Sequence, residues 1–217
     1  MPRPYPGDLS PELTADKVPL LRGRHMVMGM KIIADHSLID ATVLMLVTTL
    51  ARTNPAPIGS IFGAIRNGSV QNDALKALAK EQMPANDYDL LDQCLRLAGK
   101  AAKSRDELAH SLWLVDSKLP NDVVLCGPDK AWRMEHYMAV NGGYGPTTVD
   151  VVDGFRDKLR DKLKLWSLLD FEQAERMASN VNAALHQVRS IILDPNDEGA
   201  RSMIRTILSW HEVKKER

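Results

Sequence analysis

Between Asn86 and Ser111 the apolar residues return every three or four positions: Leu91, Cys94, Leu95, Ala98, Ala101, Ala102 and Leu108. Only an α-helix puts that spacing on one face, and it persists for about seven turns. Either Asn86 or Asp87 is suited to cap its start. A similar period runs from about Arg24 to Arg52 through Met26, Met30, Ile33, Leu38, Val43, Leu46 and Leu50. Thr53-Asn54-Pro55-Ala56-Pro57 must end that helix, since proline removes a donor and clashes with the preceding turn. A second helix is expected over about Ile58–Glu81, interrupted at Asn67-Gly68 and closed by Pro84. Past the middle of the chain the period predicts helices over about Val149–Leu163, Phe171–Leu193 with Asp170 as N-cap, and Glu198–Lys214. Aromatic residues are only 5% of the chain, so the core must come from Leu, Val, Ile, Ala and the ten Met, which also favours helices.

One stretch breaks the period. Leu112–Val115 and Asp122–Cys126 are short β-prone runs around Lys118-Leu119-Pro120-Asn121-Asp122, which predicts a hairpin. Trp132–Val140 is read as a third strand, and Asn141-Gly142-Gly143-Tyr144-Gly145-Pro146 as a loop. The expected architecture is mainly α, a helical bundle with a small antiparallel β-hairpin insertion. Residues 1–23 form an extended, proline-rich arm, 24–193 the bundle with the insertion at about 112–140, and 194–217 a C-terminal helix.

Lys plus Arg and Asp plus Glu are both 28, so no net field draws the chain to nucleic acid or membrane, although a local basic patch is compatible with that balance. Cys94 and Cys126 give neither a disulfide framework nor zinc-ligand spacing. The start of the chain lacks the apolar run of a signal peptide, and Leu38–Leu50 is too short and interrupted to span a bilayer. These observations predict a cytoplasmic protein without a membrane partner, metal or cofactor.

Arg105 continues the small-residue stripe of Ala98, Ala101 and Ala102. An arginine there must find a carboxylate, a phosphate or another surface. His110 follows five residues later, where helix gives way to strand. Asp106 lies four before His110, on the same helical face, placed to orient the imidazole. Arginine holds phosphate through paired hydrogen bonds, and histidine moves protons near neutral pH. The spacing alone is weak evidence, because Arg205 and His211 form a rival pair in Arg205-Thr206-Ile207-Leu208-Ser209-Trp210-His211. Context favours the first pair.

The run Arg105-Asp106-Glu107-Leu108-Ala109-His110 resembles the Arg-polar-x-x-x-His signature of HEPN domains. Extended through Trp113, it is similar to the "LAHGLW" variant of a bacterial HEPN-like branch. The layout resembles that family too: an opening helix pair, the motif helix, a β insertion and a closing helix. Two positions depart from it. Ser111 stands where that variant carries glycine, and Leu112 replaces the tyrosine of members paired with nucleotidyltransferases. The resemblance implies a dimeric helical bundle that cleaves RNA without metal, as a toxin or defence effector with an antitoxin or other regulator. It implies His110 as general acid or base, Arg105 stabilising the phosphorane, Asp106 orienting His110, and Asp40, in His36-Ser37-Leu38-Ile39-Asp40, helping to hold Arg105 at the substrate. The alternative on the same scaffold is a non-catalytic nucleotide-binding or protein-interaction module.

The remaining polar features read as structural. Asp150, Asp153, Asp157 and Asp161 interleave with Arg156, Lys158, Arg160, Lys162 and Lys164, the pattern of a solvated, salt-bridged face. The other histidines show no ligand spacing. Gly142-Gly143-Tyr144-Gly145 lacks the lysine of a phosphate loop, and Cys94 reads as core.

Overall fold

Helix dominates, as the apolar period requires. The computed structural model describes residues 2–6, 13–14, 22–52, 55–65, 67–127 and 163–212. Among them are six helices: α1 (Gly23–Ala51), α2 (Pro55–Ala64), α3 (Gly68–Gln82), α4 (Ala85–His110), α5 (Leu168–Leu193) and α6 (Glu198–Glu212). Five strands, β1 (Arg3–Pro4), β2 (Leu13–Thr14), β3 (Leu112–Asp116), β4 (Asp122–Cys126) and β5 (Leu163–Ser167), form an antiparallel sheet in the order β1-β5-β4-β3-β2. The chain divides into two compact units. Unit 1 is Met1–Ile33 with Lys103–Glu175, and unit 2 is Ala34–Ala102 with Arg176–Arg217.

Unit 2 is all helix. Leu46, Leu75, Leu91, Cys94, Leu185 and Ile204 are fully enclosed at its centre. The stripe that predicted the third helix thus faces the core, and burial pushes the Cys94 thiol up to about 12. The segment expected as one interrupted helix is two, because the Asn67 side chain accepts from the Ser69 amide at 3.0 Å and caps α3. Asp87 does not serve as the expected cap. It sits in the first turn of α4, buried, and its carboxylate takes the Arg201 Nε and a terminal guanidinium nitrogen at 2.7 Å each. Such a two-pronged bond satisfies both charges where water is excluded. By length and composition α1 is long and apolar enough to cross a membrane, unlike the shorter window judged from the sequence; its Ile39, Val43, Leu46 and Leu50 lie in the core of unit 2.

Unit 1 is built on the sheet. The predicted hairpin is present, with Trp113 opposite Leu125 and Leu114 opposite Val124. Asp116 closes its turn by accepting from the Lys118 amide at 2.8 Å. The β element is not confined to an insertion, however. β4 is buried along its whole length and pairs on its other side with β5, where Leu163 was expected to end a helix. Two pieces of the N-terminal arm supply the edges, β1 against β5 and β2 against β3. Alternation sends Leu114, Val124, Cys126, Leu163 and Leu165 to one face with Tyr5. Val123, Leu125 and Trp166 go to the other, where they pack on Leu108, Ile32 and Phe171. The strand expected at Trp132–Val140, the glycine-rich loop, nearly all of the helix expected at 149–163 with its four aspartates, and the basic tail after Glu212 lie outside the described residues.

α5 starts at Leu168, three residues earlier than a cap at Asp170 would allow. Ser167 takes the capping place instead: its hydroxyl accepts from the Asp170 amide at 3.3 Å while Asp170 accepts from the Ser167 amide at 2.9 Å. This is the reciprocal arrangement of a capping box. Burial alone would raise the Asp170 pKa, but hydrogen bonds, those from Ser167 among them, outweigh it and hold the carboxyl below its ordinary value.

Candidate active site

The motif occupies the last turns of α4 in unit 1. Leu108 is the anchor: it is buried on the sheet face and fixes how the helix end is turned. The helix then stops without a left-handed residue, since among the described residues Arg52 is the sole non-glycine at positive φ. The Trp113 indole donates to the Leu108 carbonyl at 2.8 Å, and the Ser111 amide to the Glu107 carbonyl at 3.1 Å. Two carbonyls left open by the helix end are thereby satisfied, and glycine is not needed where Ser111 stands.

With Leu108 turned inward, His110 is exposed, and it has no hydrogen-bond or ion-pair partner among the described residues. Arg105 is half-buried. One terminal guanidinium nitrogen donates to Asp106 at 2.7 Å, and its Nε is shielded from solvent with no partner among the described residues. Asp106 shares a face with His110, yet its carboxylate is hydrogen-bonded to Arg105 and not to the imidazole. The ion pair of Asp40 is with His36, one turn before it in unit 2, at 3.5 Å. The structure therefore joins Arg105 to Asp106, leaves His110 open to solvent, and gives Asp40 a histidine as its partner.

Sequence reasoning passed over the acidic residue that is most firmly placed here. Glu107 accepts from Lys164 Nζ at 2.8 Å and from the Trp166 indole at 3.1 Å. Trp166 is almost fully buried, so one oxygen of Glu107 is held by a rigid donor. Lys164 and Trp166 are two apart on β5 and so share a face of the strand. Nothing local in the sequence marks this, because it depends on β5 lying beside the end of α4.

The rival pair is arranged differently. Arg205 is exposed on α6, whereas His211 is half-buried with its Nε2 3.4 Å from the Asn180 amide nitrogen. That histidine is tied to its own unit. Among the described residues no group of three His, Cys, Asp or Glu side chains is arranged to hold a metal ion. The sequence matches no family model, and no curated protein or solved structure matches the chain.

Proposed function

We propose that this chain is a HEPN-like, metal-independent endoribonuclease acting as a homodimer, with α4 ends from two copies forming the cleft. The observation that carries the reading is His110: a solvent-open imidazole at the end of α4, five residues beyond a half-buried arginine. Five residues of helix turn the chain by about 140° and advance it about 7.5 Å. One helix therefore aims the two side chains to different sides. A two-fold axis would overcome this by setting Arg105 of one copy beside His110 of the other.

In that cleft His110 takes the proton from a ribose 2′-hydroxyl as the oxygen attacks the adjacent phosphorus. The bond from phosphorus to the 5′-oxygen breaks, and that oxygen leaves with a proton supplied by the second imidazole. The products are a 2′,3′-cyclic phosphate and a free 5′-hydroxyl. Arg105 donates to the phosphorane oxygens as their charge grows, exchanging its bond to Asp106 for the substrate. On this reading, which the motif's resemblance to HEPN domains supports, the expected partner is an antitoxin or another regulator, in a cytoplasmic setting.

The test is cleavage of a labelled RNA by purified dimer in the presence of EDTA. His110→Ala is expected to lower the rate about 10²–10⁴-fold, and Arg105→Ala about 10²–10³-fold, with circular dichroism unchanged. Intact RNA after prolonged incubation with uninhibited dimer would overturn the reading. The closed Arg105–Asp106 pair favours the second reading, a non-catalytic binding module. Under it, RNA or nucleotide would bind without being consumed.

A further inference from the structure

We infer that Lys164, held by Glu107, and Lys103 form a binding surface for the phosphodiester backbone of single-stranded RNA beside His110. The inference rests on the reading that His110 works on RNA, and it names the groups that would bring the strand there. Lys103, Glu107 and His110 are four and three residues apart on α4, so they fall on one side of the helix. Glu107 is fixed by the indole N–H of buried Trp166 and in turn holds the ammonium of Lys164. Lys164 is thereby kept next to the His110 face while its side chain stays about half open to solvent. Lys103 is exposed and has no hydrogen-bond or ion-pair partner among the described residues.

Charge decides the kind of ligand. Asp106 is matched by Arg105 and Glu107 by Lys164, which leaves Lys103 as an unmatched cation on this side of α4 among the described residues. An ammonium that keeps donors free while bonded to one carboxylate oxygen can also bond a phosphate. Lys103 and then Lys164, held at Glu107, precede the imidazole along α4, so two ammoniums on successive phosphates would lead the strand to His110. A single strand is required, because a 2′-oxygen reaches the in-line position only where the backbone can rotate.

The experiment measures binding of a fluorescent 2′-O-methyl oligoribonucleotide, which cannot undergo the attack, across a salt series. The proteins are the full-length wild type, Lys103→Gln, Lys164→Gln and the double variant. In parallel, KM and kcat are measured on ordinary RNA. Each single change is expected to reduce the slope of log affinity against log salt by about 0.7, the release of roughly one phosphate contact on a single strand. On ordinary RNA each change should raise KM and spare most of kcat. Lys164→Arg should restore binding, which a mere loss of folding would not allow.

A wild type that fails to bind the oligonucleotide, or a double variant that keeps the wild-type slope and affinity, overturns the inference. If the wild type cleaves RNA and the double variant does so with unchanged KM, the surface is refuted while the ribonuclease reading stands. If the slopes fall as expected and ordinary RNA stays intact, the surface stands and the ribonuclease reading does not.

Discussion

A missing side chain at residue 29 decides how closely α1 approaches Trp113. A Cβ built on Gly29 would overlap the outer edge of the Trp113 indole, lying 2.9 Å from Cζ2, and would sit 3.3 Å from Phe171 Cε1. The same indole caps the end of α4, so any shift in it reaches the turn that carries His110. Gly29→Ala is expected to lower unfolding free energy by about 1–3 kcal/mol through overpacking, outweighing alanine's better helix propensity. Denaturant unfolding measures this, and an unchanged or raised midpoint would show that the indole yields freely. The sequence carries no sign of the contact, since Gly29 lies inside an otherwise regular helical pattern. The choice among carboxylates was equally hidden. Asp106 has the right spacing to His110, but a side chain bonds to whatever is nearest, and in this structure that is Arg105.

At the scale of elements, helix ends and strand partners organise unit 1. Arg22, just before α1, donates through Nε to the Asp122 carbonyl at 3.0 Å and through a terminal nitrogen to the Leu119 carbonyl at 3.1 Å. It thereby pins the β3–β4 turn to the start of α1. At the start of α5 the Ser167–Asp170 pair answers donors that would otherwise be left open. Ser167→Ala removes the capping oxygen and is expected to cost about 0.5–2 kcal/mol, seen as a lower unfolding midpoint. Ser167→Thr should recover most of that loss. The hairpin and the long helices were legible because period and turn residues act over a few positions, as with Leu112–Cys126 and Leu91–Leu108. β5 was not legible. Leu163, Lys164, Leu165, Trp166 and Ser167 follow a charged run that reads equally well as helix, and only pairing with β4 commits them to a strand.

For the molecule as a whole, acidity is a test of unit 1. Burial, then the neighbouring Arg22 and Arg24 charges, hold the His25 pKa below the ordinary imidazole value of 6.5, against the opposing pull of the Asn121 carbonyl and Asp122. The ring is buried edge-on to Phe171, with centroids 5.4 Å apart. The folded chain thus keeps His25 neutral at a pH where the unfolded chain has begun to take up a proton. Its contribution is complete above 6.5 and declines as pH falls from there to the lowered folded value. Asp170, with a depressed pKa, adds a separate loss at lower pH, as the solution passes below the ordinary carboxyl value of 3.8. The thermal midpoint should therefore fall as the pH is lowered below 6.5, and His25→Gln should fall less steeply. Equal slopes in both proteins would remove His25 as the cause.

By itself the sequence determined that the chain is mainly helical, where α1 and α4 run, and that a hairpin follows the motif. Those properties depend on neighbours a turn or two apart, which the residue order states directly. Tertiary structure alone decided that the N-terminal arm supplies the sheet edges, that Asp87 pairs with Arg201, and that Glu107 is the carboxylate held by β5. Each of these joins residues far apart in the chain, and a partner at that distance is chosen by packing, which no local pattern of residues encodes.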